Sequence, residues 1–380
     1  MLDSLLEKDE FVAGTAGEGL DEPRHSNICL GFETQEKQIL DLYESGQMPH
    51  ALIFSGPKGI GKSTFAYRVA RFFLKNGLKD NDSDQGGLFG EALPSEPLAS
   101  LDVSKNEPTF TQVAAGGHSD LLTIERQIDT KKGARKANLD VETARKVAPF
   151  LRMTASNGGW RLVVIDDADT MNRNAQNALL KILEEPPKNT LLILITHRLG
   201  AMIPTIRSRC RTINCQPLNN DHMKTLLGKV AGSTLSNDEE SMILSMSSGQ
   251  IRKAIDLYEQ GGLEILTELL SVCGSWPQFP WVTIHQMADN VGRAGQDSAY
   301  KAFEQSFLWL AETITLAKAK NIISLDKPLN SGVFASMMAH YSLEQWLNIC
   351  ENLKQHFDQA RVSNLDKRQA VLRAFAHLSA

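Results

Sequence analysis

A short apolar run, Ala51-Leu52-Ile53-Phe54, passes through Ser55 into Gly56-Pro57-Lys58-Gly59-Ile60-Gly61-Lys62-Ser63, and no other stretch constrains the chain as tightly. Every fixed position of the pattern G-x-x-x-x-G-K-[ST] is met, and the context is right. A buried strand is expected before the loop. After it, Phe65, Val69, Phe72 and Phe73 recur at helical spacing, which predicts a helix over about 62–75. A loop of this kind holds phosphate. Its glycines let main-chain N–H groups close around phosphate oxygens, and the helix N-terminus adds positive potential with Thr64 in its first turn. Lys62 is placed to reach the β- and γ-phosphates of ATP, and the Ser63 hydroxyl to ligate Mg²⁺.

Further apolar runs alternate with helical periods. Leu121–Ile124, Leu162–Ile165 and Leu191–Ile195 read as strands. A helix is expected from about Val141 to Leu151, and another around Ala175, Leu179, Ile182 and Leu183, stopped by Pro186-Pro187. Alternation over 51–215 predicts a doubly wound α/β domain with a parallel sheet. The strand Leu162–Ile165 has hardly any polar face and ends in Asp166-Asp167. With that strand beside the first one, Asp166 is expected to complete the Mg²⁺ shell. Asp167 stands where many ATPases place a Glu that polarises the attacking water. Its carboxylate is one methylene shorter, so it sits roughly 1–1.5 Å back. Asp169 is a further acid.

The rest of the chain reads differently. Residues 76–118 show no apolar period and are expected to form a flexible insertion. From 218 onward the strands disappear. Short helical segments cover about 219–260, a second break begins at Gly261-Gly262, Pro277 and Pro280 mark a third, and long helical periods follow. Apolar residues are 42% and charged residues 22% of the 380, values of a folded globular chain. No run approaches the 18 or so apolar residues of a membrane span. Residues 1–22 carry seven acids against one Lys and are expected to be an acidic flexible tail, not a secretory leader. The chain as a whole has a net charge of −5, which argues against a DNA-coating protein. Two local basic groups remain candidates for phosphate contact: Arg68, Arg71 and Lys75, and Lys131, Lys132, Arg135 and Lys136. Five scattered cysteines form no CxxC pair, so reduced thiols and no zinc are expected. The five tryptophans, Trp160, Trp276, Trp281, Trp309 and Trp346, read as core or interface residues.

Several runs together resemble the clamp-loader branch of the AAA+ ATPases. They are Met48-Pro49-His50-Ala51, the phosphate loop, Asn177-Ala178-Leu179-Leu180-Lys181-Ile182-Leu183-Glu184-Glu185-Pro186-Pro187, and Ser208-Arg209-Cys210. The resemblance is strong over 23–217, moderate over 218–260 and general over 275–380. It implies an AAA+ P-loop domain over 23–217, a helical lid over 218–270 and a helical collar for oligomerisation over 271–380. By the same resemblance Thr196 takes the sensor-1 position and Arg252, in Gly249-Gln250-Ile251-Arg252, the sensor-2 position. Arg209 is similar to the arginine finger that acts in trans on a neighbour's ATP. The motif is expected past the last strand, away from this chain's own phosphate site. Two departures stand out: 76–118 lacks the cysteines of the zinc module found in many relatives, and Asp167 replaces the usual Glu.

The resemblance implies an ATP- and Mg²⁺-binding stator in the loader that closes a sliding clamp on primed DNA, contacting DNA without sequence preference. Its partners would be subunits of the gamma/tau and delta type, in the cytoplasm at a nucleoid-associated replisome. Two other readings stay open: a hydrolysing motor subunit of the gamma/tau kind, and an AAA+ ATPase outside replication.

Overall fold

The computed structural model describes residues 20–77, 100–129, 134–136, 138–156, 159–232, 234–293, 295–322, 325, 328–362 and 365–378. Most of the acidic tail (1–19), residues 78–99 of the expected insertion, and Lys131 and Lys132 lie outside the described residues. The chain divides into two compact units, Met1–Leu226 with Gly249–Ile251, and Leu227–Ser248 with Arg252–Ala380.

In the first unit the elements run α1 (Glu33–Glu44), β1 (Ala51–Ser55), α2 (Lys62–Asn76), α3 (Pro108–Ala114), β2 (Leu121–Ile124), β3 (Ile128–Asp129), β4 (Ala134–Arg135), α4 (Val141–Arg145), α5 (Val147–Leu151), β5 (Arg161–Ile165), α6 (Arg173–Glu184), β6 (Thr190–Thr196), α7 (Pro204–Arg207) and β7 (Arg211–Asn214). Five strands form one sheet in the order β2-β5-β6-β1-β7, every pair parallel. This is the doubly wound α/β arrangement the alternation predicts. The apolar strand residues face both ways: Ala51, Ile53, Val163, Ile165, Leu192 and Leu194 share a core with Leu179, Ile182 and Leu183 of α6. On the other face Phe54 meets Phe65 of α2 at 5.0 Å between ring centres. Helices on both faces explain why these strands have no polar side.

Four local expectations change. The strand β5 does not lie beside β1; β6 is inserted between them. The helix expected over Val141–Leu151 is two short helices that meet at Lys146. Residues 100–118 are not a flexible loop: Leu101, Val103, Phe110 and Val113 are buried, and α3 starts on a Pro at its first turn. Their apolar residues are too few to show a period, and packing on α2 supplies the order. Arg209 precedes the last strand, in the turn between α7 and β7.

The second unit is helical. Its core gathers Phe303, Phe307, Trp346, Phe357 and Phe375 from the C-terminal helices together with Met246, Leu257 and Leu266. The break read at Gly261-Gly262 is one left-handed residue, Gly261 (φ 68°), opening the helix Gly262–Cys273. Trp309 and Trp346 are buried in this core, whereas Trp281 is 44% exposed. Among the described residues no helix is long and apolar enough to cross a membrane.

Phe65 anchors the helix that follows the phosphate loop. It is fully buried, stacked on Phe32 at 4.9 Å and tilted against Phe54. Phe65→Ala should lower the unfolding free energy by about 3–5 kcal/mol through the cavity it leaves. Denaturant titration of the variant against the parent measures this, and a loss below about 1 kcal/mol would contradict the packing described.

Candidate phosphate site

The loop between β1 and α2 takes its shape from its glycines. Gly59 (φ 77°) and Gly61 (φ 99°) lie in the left-handed region, where a side chain is strained. Gly56 needs its missing side chain for another reason: a Cβ there would stand 2.2 Å from the carbonyl oxygen of Cys215. Lys58 is exposed; Pro57 and Ile60 complete the turn. The 15-residue α2 then begins at Lys62, with no acid in its first turn.

Lys62 is buried (3% exposed) and folded onto its own loop. Its ammonium donates to the carbonyls of Gly56 (2.8 Å) and Pro57 (2.6 Å) and to Nδ1 of His197 (2.9 Å). An ammonium has three protons, and all three are taken. Burial draws the Lys62 pKa down to about 8 against the pull of Asp166, Asp169 and Asp167.

Nδ1 of His197 accepts from Lys62, so the ring proton sits on Nε2 and is donated to Oδ1 of Asp167 at 2.7 Å. The other oxygen of Asp167 receives Arg126, from Nε at 2.8 Å and from a terminal nitrogen at 2.7 Å. Burial works to raise the Asp167 pKa, but the His197 hydrogen bond and the charges of Arg126 and Lys58 outweigh it and hold the carboxyl well below its usual range. Asp167 is also in the left-handed region (φ 50°). A continuous chain thus runs Lys62–His197–Asp167–Arg126. Asp169 fixes the turn that presents the ring, accepting from the His197 main-chain N–H (3.1 Å) and from Arg198 Nε (3.2 Å).

Ser63 Oγ donates to Asp166 Oδ2 at 2.9 Å, and the Asp167 N–H donates to Oδ1 at 2.9 Å. Burial and the neighbouring charge of Asp167 raise the Asp166 pKa, with the Ser63 bond opposing. A hydroxyl and a carboxylate side by side, the carboxylate desolvated and short of a cation, fit a hard oxygen-seeking ion such as Mg²⁺.

The remaining sequence-predicted residues fall as follows. Thr196 is fully buried and its hydroxyl accepts from the Arg198 N–H at 3.2 Å; the residue that reaches the loop is the next one, His197. Sequence reading passed over His197. Its signal was its place directly after a buried strand, but that becomes informative only once β6 is known to lie between β1 and β5. Arg209 is half-buried in the turn between α7 and β7, bound to Glu184 at 2.8 Å and to the carbonyl of Thr205 at 3.1 Å. Arg252 belongs to the second unit and pairs with Asp256 at 2.8 Å. The basic group on α2 is spoken for: Arg68 and Arg71 bind the chain's own groups, and Lys75 pairs with Glu107 at 2.8 Å. Lys136 binds Gln127 at 3.0 Å.

Fold, loop and paired acids are those of a P-loop domain. Residues 32–219 match the family model described as DNA polymerase III, delta subunit. The DNA polymerase III subunit delta' of Pseudomonas aeruginosa is 35% identical over 164 residues, 43% of this chain and 42% of that protein. The replication factor C small subunit 1 of Pyrobaculum aerophilum is 28% identical over 245 residues, 62% of this chain and 59% of that one. A solved gamma subunit-related protein of DNA polymerase III from Thermotoga maritima is 14% identical, with a TM-score of 0.41, over 90% of this chain and 98% of that chain. Over the matched residues the chain is similar to the delta-prime type of clamp-loader subunit. It spans about two to three fifths of the length of these two curated relatives.

The depressed Lys62 pKa gives a signed pH dependence. The charged ammonium binds an anion, and a bound phosphate raises its pKa. Affinity for inorganic triphosphate should therefore be level below pH 8 and fall above it, approaching tenfold per pH unit (~1.4 kcal/mol). Calorimetric titrations from pH 6.5 to 9.5 check this, and a flat profile would rule it out.

Proposed function

We propose that this chain is a clamp-loader subunit of the delta-prime type in the bacterial DNA polymerase III holoenzyme. It binds ATP and Mg²⁺, hydrolyses ATP weakly by itself, and offers Arg209 to ATP held by a neighbouring subunit. What carries the reading is the state of Asp167. Both of its oxygens are tied, one to His197 and one to Arg126, while Lys62, Ser63 and Asp166 stand ready for a triphosphate. A carboxylate engaged in this way polarises no water.

In this reading Gly56 to Thr64 wrap the triphosphate. Lys62 leaves the Gly56 and Pro57 carbonyls for the β- and γ-phosphates. Ser63 and Asp166 are the residues that hold Mg²⁺, which when bound neutralises phosphate charge. His197, not Thr196, takes the position beside the γ-phosphate, and Arg252 serves as sensor 2. The domain reading of 23–217, a lid over 218–270 and a collar over 271–380 belongs to the same proposal. So do partners of the gamma/tau and delta type, the sliding clamp, primed DNA held without sequence preference, and a cytoplasmic place at the replisome. A hydrolysing motor role is disfavoured by the engagement of Asp167, and a role outside replication by the Glu184-Glu185-Pro186-Pro187 and Ser208-Arg209-Cys210 runs.

Lys62→Ala should abolish binding of a fluorescent ATP analogue while leaving the fold intact, and equal affinity of variant and parent would refute the ATP site. The isolated chain should release phosphate far more slowly than about 1 s⁻¹, the low end of usual enzyme rates. Arg209→Ala should leave the chain's own ATP binding nearly unchanged, yet slow DNA-stimulated hydrolysis by the reconstituted assembly, by about 10³-fold at the sites it serves. Arg207→Ala should do less. If Arg209 is only a structural partner of Glu184, thermal melting of the monomer shifts slightly and the assembly hydrolyses ATP normally.

A further inference from the structure

Two arginines stand three residues apart on α2, the helix that starts at the phosphate loop, and neither is free to meet a nucleic acid. Arg71 is buried (2% exposed). Its terminal nitrogens donate to the carbonyls of Ser26 (2.7 Å) and Arg24 (3.1 Å), and its guanidinium lies 4.3 Å from the ring centre of Phe110 on α3. Arg68 donates to the carbonyl of Asn27 (3.3 Å), to Asp102 (2.8 Å), to Glu36 (3.2 Å) and to Ser100 (3.1 Å). Three main-chain carbonyls within four residues, 24, 26 and 27, are therefore held by one helix.

The gripped segment leads straight into a cavity of about 70 Å³ beside the loop. Ile28, Leu30 and Phe32 of that segment line it together with Ile60, Gly61 and Thr64 of the loop and helix, and Leu218, Leu226 and Ile251 complete the lining. Phe32 also stacks on Phe65 of α2. Burying a guanidinium is costly, and burial lowers the Arg71 pKa to about 10, so it stays charged at neutral pH. Among the described residues it is held by carbonyls and a ring, not by a carboxylate. A planar fork that spans two carbonyls and stacks on an aromatic face is something Arg supplies and neither Lys nor an apolar residue can.

We propose that Arg71, assisted by Arg68, is a positioning residue for nucleobase recognition: it fixes segment 24–32 against α2 and so holds one part of the largely apolar lining of the cavity beside the phosphate loop. The proposal rests on the ATP-binding reading above. The loop and Lys62 hold the triphosphate; the arginine-held wall adds the contribution of the base. Removing the grip therefore loosens the base and leaves the phosphates held.

The test compares two ligands on the full chain, ATP and inorganic triphosphate, each with Mg²⁺ at pH 7 by calorimetry. Arg71→Met should lose about tenfold or more in ATP affinity, the equivalent of ~1.4 kcal/mol, with the triphosphate changed less than about twofold. Arg68→Gln, at a less buried position, should show a smaller loss, again confined to ATP. Near-UV circular dichroism confirms that each variant is folded. Should Arg71→Met fail to fold, Arg68→Gln decides alone. Equal losses for both ligands, or an unchanged ratio of ATP to triphosphate affinity in the folded variants, would overturn the positioning role. If the parent chain binds neither ligand, the ATP-binding reading fails, and this proposal with it.

Discussion

The strand that leads into the phosphate loop, β1, is paired on both edges, and the site depends on that pairing. β1 runs in parallel register with β6 on one side and β7 on the other, from Ala51 against Leu192 to Ser55 against Asn214. Parallel pairing brings the C-terminal ends of β1, β5 and β6 to one edge of the sheet, where the strand-to-helix turns must lie. The phosphate loop, the paired acids and the His197 turn meet there for that reason. The pairing also sets how closely chains pass: the Gly56 N–H reaches the Thr196 carbonyl at 3.3 Å, and Cys215 closes in on the other side.

Once those ends converge, charges must be satisfied out of water. Lys62 solves this with two loop carbonyls and the His197 ring, and the ring passes the constraint to Asp167 and on to Arg126. Each member of the chain fixes the protonation and orientation of the next, since a buried hydrogen bond left open costs more than it would in water. Asp166 is the exception. Among the described residues its hydrogen-bond partners are a hydroxyl and a main-chain N–H, and it is desolvated, a state that fits the metal role proposed above. The same economy governs α2. Its Phe65 face is buried against β1 and Phe32, while Arg68 and Arg71 hold the chain segment that precedes α1, so one helix carries both the loop and its surroundings.

Much of this was readable before any coordinates. The loop from Gly56 to Ser63, the strand ending in Asp166 and the helix stopped by Pro186 are local patterns, and local patterns follow from backbone geometry and burial. The segment around α3 was misread because seven residues with two buried apolar side chains show no period. The arginines of α2 were misread for a related reason: sequence shows a charge but not its partner, and the partners here are carbonyls 41–47 residues earlier.

By itself, the sequence determined that a strand, a glycine loop and an amphipathic helix follow one another with a lysine and a serine at fixed places, and that a second strand ends in acids. These are consequences of spacing along the chain. Only the tertiary structure decided which strands are neighbours. The place of β1 between β6 and β7 depends on pairings between residues more than a hundred positions apart, whose cost and gain no local window contains. Inserting β6 between β1 and β5 put His197 between Lys62 and Asp167, and the turn before β7 set Arg209 next to Glu184.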